Sequence, residues 1–226
     1  MRLESNAAGH GPLVVLLHGM GGAAMQWSIV MKNMEASYHL VAVDLLGHGE
    51  SPSPVDPAAY RRELSLEDID EIVANYRVGD ELPILVGHAF GGYLAMAYAL
   101  ERPELVSALV LIATGPGFVD PVSLVEWNTH TLDGSLRFDI SAAACNLGVI
   151  PDSMVFDQLE SIAPPALIIV GDQDESFLGA SRVLDTRMPD SHLLVVPDAK
   201  HDILSTHSAM IGNEIQRFLS AGAIRP

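Results

Sequence analysis

Six short apolar runs recur along the 226-residue chain, separated mostly by segments of helical length. The runs are Leu13–Leu17, His39–Val43, Pro83–Val86, Ala108–Ile112, Ala166–Val170 and Leu193–Val196. Because they are almost continuously apolar, they predict strands covered on both faces, as in a parallel sheet. Helices are predicted at Met25–Met34, Leu66–Tyr76, Gly92–Leu100, Leu178–Met188 and Ser208–Ser220, with Ser65 and Asp68 as a capping box. The pattern predicts an α/β fold with a doubly wound, mostly parallel sheet and an active site at the carboxyl ends of its strands.

One segment, residues 114–161, interrupts this alternation. It is rich in glycine and proline and shows only weak helical patterns. An excursion of this kind between two strands predicts a short lid over the site, although an insertion that merely packs on the sheet is an equal alternative. We therefore divide the chain into a core, residues 1–113 and 162–226, and a lid insertion, residues 114–161.

The charge and cysteine content limit the classes of partner. The net charge is −17 and no cluster of basic residues offsets it, which disfavours nucleic acids and anionic membranes as partners. Cys145 is the single cysteine, the N-terminus has no signal-peptide pattern, and no apolar run approaches the ~20 residues of a membrane span. These features predict a cytoplasmic protein that binds a small molecule, and they leave its oligomeric state open. No cluster has metal-ligand spacing, so neither a metal nor a cofactor is predicted.

A glycine-rich motif after the first apolar run offers a rival interpretation. Gly19, Gly21 and Ala24 fit the pattern G-x-G-x-x-A, and Asp44 follows about 20 residues later, where a ribose-binding acid would stand in a dinucleotide-binding unit. His18 before the first glycine has no role in cradling a pyrophosphate. This interpretation also leaves the later motifs unexplained, so NAD(P) binding is a minor alternative.

A second glycine-rich corner, Gly87-His-Ala-Phe-Gly91, follows the third apolar run and precedes a helix. With "LLHGMGG", "DLLGHGES", "ALIIVGDQD" and "VVPDAKHD" in the same order, it makes the chain resemble the α/β-hydrolase superfamily over nearly its whole length. In that family a serine stands at the centre of the corner, in the pattern G-x-S-x-G. Here the central residue is Ala89.

The resemblance implies roles for five positions. Ala89 occupies the position of the nucleophile, and the N–H groups of Met20 and Phe90 would form the oxyanion hole. His201 would be the general base and Asp174 the acid that orients it, with Asp172 as a competing candidate.

The expected activity is hydrolysis of an ester-like bond in a small to medium, mainly apolar substrate by a Ser-His-Asp mechanism. Since Ala89 removes the nucleophile, this chain is expected to be an inactivated Ser-to-Ala form of such an enzyme. The alternatives are a natural ligand-binding homologue that does not catalyse, and a cofactor-free lyase or dioxygenase that uses His201 as a base. The expected substrate-binding residues, from chain order alone, are Met25, Trp27, Phe118, Trp127 and Met154.

Overall fold

The computed structural model describes residues 3–223. Its centre is a sheet of the strands β1 (Ser5–Ala8), β2 (Leu13–Leu17), β3 (His39–Val43), β4 (Ile84–His88), β5 (Ala108–Ile112), β6 (Ala166–Gly171) and β7 (Ser191–Val196). The strand order is β1-β3-β2-β4-β5-β6-β7, and all neighbours are parallel except β1 and β3. This confirms the predicted doubly wound, mostly parallel sheet. The order reverses between β2 and β4, so their carboxyl ends border the crevice where such folds bind ligands.

The strand predictions hold to within two residues at each end. β2, β3 and β5 have the predicted bounds, whereas β4 runs on to His88 and β7 begins already at Ser191. The additional strand β1 was not predicted, because its sequence Ser-Asn-Ala-Ala is half exposed at the sheet edge and lacks β-branched residues. It is the single strand ahead of β2 within residues 3–223.

Nine α-helices in the described residues connect or flank the strands. They are α1 (Ser28–Met34), α2 (Arg62–Tyr76), α3 (Phe90–Glu101), α4 (Pro121–Leu132), α5 (Ser135–Phe138), α6 (Met154–Asp157), α7 (Leu178–Arg187), α8 (Ile203–Thr206) and α9 (Ser208–Phe218). None of them is long and apolar enough to cross a membrane. The predicted capping box is wrong, since α2 begins three residues before Ser65, whose hydroxyl instead donates to the carbonyl of Arg61 at 3.3 Å.

The sheet is buried between two apolar layers. Alternate residues of β2 enter opposite layers: Val15 packs with Leu94 and Tyr98 of α3, while Leu16 packs with Met34 of α1 and Ile215 of α9. All of these side chains are almost fully buried. Helices on both faces therefore hold the carboxyl ends of the central strands in fixed positions.

The segment between β5 and β6 contains α4, α5 and α6. It is tied together internally, because the Trp127 indole donates to the carbonyl of Gly148 at 3.2 Å and the Asn128 amide bonds both backbone groups of Ile150. Leu147 and Ile150 are buried against the main core. The segment thus packs as an ordered unit beside the sheet, and its role as a lid stays a prediction.

Candidate active site

A sharp turn joins β4 to α3, and Ala89 alone forms it. Its backbone angles are φ 48° and ψ −118°, in a region that residues with a Cβ atom rarely adopt. The N–H of Ala89 donates to the carbonyl of Ile112 at 2.9 Å. Its carbonyl accepts from the Thr114 hydroxyl at 2.6 Å. Both polar groups of the strained residue are therefore held by the adjacent strand β5 and the residue two positions beyond it.

The glycines around Ala89 allow the backbone to pack closely at this turn. A Cβ atom added to Gly87 would lie 2.3 Å from the carbonyl oxygen of Gly91. A Cβ atom added to Gly91 would lie 2.2 Å from the carbonyl oxygen of Leu17, at the end of β2. Because backbone atoms cannot yield as a flexible side chain can, these two positions require glycine for steric reasons. The geometry explains the glycine spacing of the corner without reference to any reaction.

A hydrogen-bonded pair lies on the same side of the sheet. His201 Nδ1 is 3.0 Å from Asp174 Oδ2, and the other oxygen of that carboxylate accepts from the N–H groups of Ser176 and Phe177 at 3.2 and 3.1 Å. The Asp174 side chain is 1% exposed and that of His201 46%. Since the carboxylate accepts from Nδ1–H, the Nε2 atom of a neutral His201 is left as the base. Of the two candidate acids, the structure brings Asp174 to His201 and leaves Asp172 exposed.

Two aromatic rings hold the His201 imidazole in place. Phe177 stacks on it with ring centroids 5.0 Å apart, and the ring of His88 lies 5.1 Å away. His88 Nε2 is 3.1 Å from the His201 carbonyl, which can only accept, so Nε2 of His88 carries the proton. Burial, with the nearby His201 as a smaller cause, lowers the pKa of His88 to about 4 and keeps this ring neutral.

A cavity of about 350 Å³ brings the predicted catalytic positions together. Ala89, His201, Met20 and Phe90 all line it. Phe90 is the first residue of α3, so its N–H has no acceptor within the helix. The loop that carries Met20 approaches Ala89 closely, since a Cβ atom added to the preceding Gly19 would lie 2.9 Å from the Ala89 Cβ. The position is therefore suitable for an oxyanion hole, and that role stays a prediction.

The structure places two of the five predicted wall residues at the cavity. Phe118 and Trp127 line it, with ring centroids 5.5 Å apart. The prediction is wrong for the other three. The turn Ala24–Trp27 directs Met25 into solvent, where it is 77% exposed, and buries Trp27 beneath the opposite face of the sheet. Met154 instead packs against the main core from α6.

Several residues that line the cavity were not predicted from the sequence. Thr114, whose hydroxyl donates to the Ala89 carbonyl, lies two residues after the end of β5, and its place at the carboxyl end of a predicted strand was a usable signal. Phe177 lies three residues after Asp174 in the same loop. Tyr93, Phe138 and Ile150 also line the cavity, but no motif marks them because their positions depend on how the insertion packs on α3.

The residues of the dinucleotide-like motif make structural contacts. The buried Asp44 carboxylate accepts from the N–H groups of Ala24 at 2.6 Å and Glu50 at 3.1 Å. These internal hydrogen bonds engage the carboxylate oxygens that would otherwise accept from a ribose hydroxyl. His18 Nε2 accepts from the N–H of Leu45 at 3.0 Å, and burial lowers the pKa of His18 to about 4. The first loop is thus braced by internal hydrogen bonds. Within the described residues, no group of three or more His, Cys, Asp or Glu side chains is arranged to hold a metal.

Comparison with known proteins identifies relatives of this chain. Residues 12–132, more than half of the chain, match the sequence model of the alpha/beta hydrolase fold. A putative 2-succinyl-6-hydroxy-2,4-cyclohexadiene-1-carboxylate synthase from Bacillus subtilis is 26% identical over an alignment of 254 positions, gaps included, that covers 92% of this chain and 90% of that protein. MenH from S. aureus superposes with a TM-score of 0.85 at 20% identity, covering 97% of this chain and 98% of that one. A thermophilic esterase from Thermogutta terrifontis superposes with a TM-score of 0.84 at 20% identity, covering 99% and 94%.

Proposed function

This chain belongs to the alpha/beta hydrolase fold family, and we propose that its site is that of an esterase-like serine hydrolase with alanine at the position of the nucleophile. The observation that carries the proposal is the common cavity of Ala89 and the His201–Asp174 pair. A strained turn that aims one side chain, and a histidine oriented by a buried carboxylate, are the two parts from which nucleophilic acyl transfer is built. The missing part is one hydroxyl oxygen.

With serine at position 89, the reaction proceeds in two halves. The serine Oγ attacks the ester carbonyl carbon while His201 Nε2 takes its proton, and the N–H groups of Met20 and Phe90 stabilise the negative oxygen. His201 then returns the proton to the departing alkoxide, which leaves an acyl-enzyme. A water molecule, deprotonated by the same nitrogen, releases the acid and restores the hydroxyl. Asp174 holds the imidazole in the required tautomer and stabilises its positive charge.

With Ala89, no atom at the turn can attack a carbonyl group. Loss of the nucleophile in a comparable triad lowers turnover by about 10⁶, although binding contributions persist. We therefore propose that this chain binds the substrate of its parent enzyme without turning it over, and that Ala89 replaces a former serine. The position of Ala89 on the cavity wall supports this, because a serine there would add only one oxygen atom to the Cβ.

We infer the substrate class from the residues that line the cavity and not from the names of the relatives. The names of those relatives cover an esterase and a carboxylate synthase, so they do not define one substrate. The walls beside Ala89 include Phe118 and Trp127, which suit a small to medium, mainly apolar ester. The insertion that carries both residues is proposed to be the lid over this substrate.

A second candidate function uses His201 alone. The His201–Asp174 pair is complete without serine, so it could remove an acidic proton from a bound ligand in a lyase or dioxygenase reaction that needs no cofactor. A natural binding protein that performs no reaction is the remaining alternative. The two differ in whether this chain, with Ala89 in place, has any His201-dependent turnover.

The test restores the missing atom. We expect Ala89→Ser to hydrolyse a short p-nitrophenyl ester and to be labelled by a fluorophosphonate probe, whereas the chain with Ala89 does neither. The double variant Ala89→Ser/His201→Ala should lose the turnover, which excludes a reaction of the serine alone. If Ala89→Ser folds normally but remains inert and unlabelled, the serine-hydrolase proposal is wrong.

A further inference from the structure

The charges on the side chains that line the cavity are not accounted for by the proposed function. Among the described residues that line it, none is lysine or arginine. The ionisable side chains on its wall are His88, His201, Tyr93 and Asp202. Burial keeps the first of these neutral by lowering its pKa, and it raises the pKa of Tyr93, so that phenol also stays uncharged at neutral pH. Asp202 is exposed, so water largely screens its carboxylate, and the lining offers no lysine or arginine charge to an anion.

The nearest buried cation is already neutralised. Arg62 stands behind Tyr93, with Nη1 3.4 Å from the phenol oxygen, and its side chain is 9% exposed. Its two terminal nitrogens bond both oxygens of Asp152, at 2.7 and 3.0 Å. A two-point pair of this kind satisfies the charge of the guanidinium and fixes its plane. Arg62 thus offers no free positive charge to a ligand in the cavity.

A second arginine lies near the cavity on its outer side. The guanidinium carbon of Arg137 is 4.5 Å from the ring centroid of Phe138, and its Nη2 donates to the carbonyl of His130 at 2.9 Å. The Phe138 ring, not the guanidinium, lines the cavity. Arg137 is exposed, so its charge is largely screened by water.

We propose that this cavity selects uncharged ligands and excludes those with a carboxylate or phosphate group in the part that enters it. The inference rests on the proposed function, because it takes the cavity beside Ala89 as the substrate site. An anionic group that lies against Phe118 and Trp127, and is not held by the N–H groups of Met20 and Phe90, would lose its hydration without gaining a positive partner, and unpaired buried charges are strongly disfavoured. The buried Asp174 carboxylate behind His201 adds repulsion from the same side.

The substrate class that follows is a neutral ester with an apolar acyl group, not a half-ester of a diacid or a thioester whose anionic carrier enters the site. The overall charge of −17 acts in the same direction at long range, since it slows the approach of anions at low salt. Local exclusion by the cavity wall and long-range repulsion by the surface differ in their salt dependence. Surface repulsion is screened within about 3 Å at 1 M salt, whereas an unpaired charge in a cavity is screened much less.

The experiment uses the chain with Ala89 and a matched pair of ligands: methyl phenylacetate, called the ester, and methyl (4-carboxyphenyl)acetate, called the anion, which carries its carboxylate on the ring and not at the reacting end. Binding is followed by the fluorescence of Trp127, since the chain has two tryptophans and the other, Trp27, is fully buried away from the cavity. We expect the ester to bind at least ~30-fold more tightly than the anion, both at 0.15 M and at 1 M NaCl. Trp127→Phe should abolish the fluorescence change and thereby assign the signal to the cavity.

A pair of variants at Phe118 separates charge from shape. Phe118→Arg places a cation on the wall and is expected to shift the preference toward the anion by at least ~10-fold, whereas the neutral variant Phe118→Gln should not. The proposal is overturned if the anion binds as tightly as the ester at high salt, or if neither ligand changes the fluorescence. If Ala89→Ser proves inert while the ester is still preferred, the serine-hydrolase proposal fails and the charge selection stands.

Discussion

Replacing Ala89 by glycine should stabilise the protein, which is the opposite of what this substitution does at ordinary positions. The φ of 48° and ψ of −118° at Ala89 correspond to about 1–3 kcal/mol of backbone strain for a residue with a Cβ atom. Glycine removes this strain but adds about 0.4–1 kcal/mol of conformational entropy to the unfolded chain. The net expectation for Ala89→Gly is a gain of about 0–2.6 kcal/mol in the free energy of unfolding, by subtraction of these two contributions.

The assay is urea denaturation, supported by the melting temperature, which changes by about 2–4 °C per kcal/mol for a domain of this size. Ala74→Gly is the matched control, because Ala74 is exposed within α2 and has no turn to form. That variant should lose about 1 kcal/mol, the usual difference between alanine and glycine in a helix. If Ala89→Gly loses stability to the same extent as Ala74→Gly, the turn at residue 89 is not strained and the argument from its geometry is refuted.

Two further predictions concern Thr114 and Asp68. In the Ala89→Ser background, Thr114→Val removes the 2.6 Å hydrogen bond to the carbonyl of residue 89, so we expect the free energy of unfolding to fall by about 1 kcal/mol and fluorophosphonate labelling to slow ~10-fold. Thr114→Ser should preserve both, and equal labelling of Ala89→Ser and its two Thr114 variants would refute the positioning role. Burial, reinforced by Glu71 and Glu67, raises the pKa of Asp68 to about 6, so its stabilising contribution is present below pH 3.8 and is lost as the pH rises to about 6. In urea unfolding, the free energy of unfolding of Asp68→Asn should therefore exceed that of the parent chain by about 1–2 kcal/mol at pH 8, after allowance for partial exposure, but not near pH 4. Glu81→Gln is the control, because Glu81 is exposed and is not among the groups that raise the pKa of Asp68; an equal gain of Asp68→Asn at both pH values would contradict the reasoning.

The central strands were predictable because burial on both faces leaves a strong pattern in the sequence. β2, β3 and β5 are almost wholly buried, and their apolar runs end where the strands end. β1 carries no such pattern, since half of its residues face solvent at the sheet edge. The start of α2 was missed for a related reason: the residues from Arg62 to Leu64 are polar or part-exposed, and tertiary contacts extend the helix beyond its apolar stretch.

The residues of the candidate site likewise fall into some that the sequence predicts and others that it does not. Positions set by one element, such as Ala89 at a strand end or the Asp174 loop, are encoded by neighbouring residues and were found from the sequence. Wall residues depend on how distant segments pack, so chain order alone could not assign them. Trp27 illustrates the limit: it belongs to the turn after the first loop, yet the turn rotates its side chain under the sheet and away from the cavity.

In the proposed site, the residue at position 89 decides which reaction the His201–Asp174 pair would perform. With serine there, the base would gain a nucleophile; with alanine, it could act only on a proton of the ligand. In that second reaction the strained turn has no nucleophile to position, because the side chain of Ala89 is a single methyl group. A chain selected only for binding or for base chemistry would gain stability from glycine at this position, since glycine adopts the same angles without strain. An alanine held at φ 48° beside a complete histidine–aspartate pair therefore favours a serine hydrolase from which one oxygen atom has been removed.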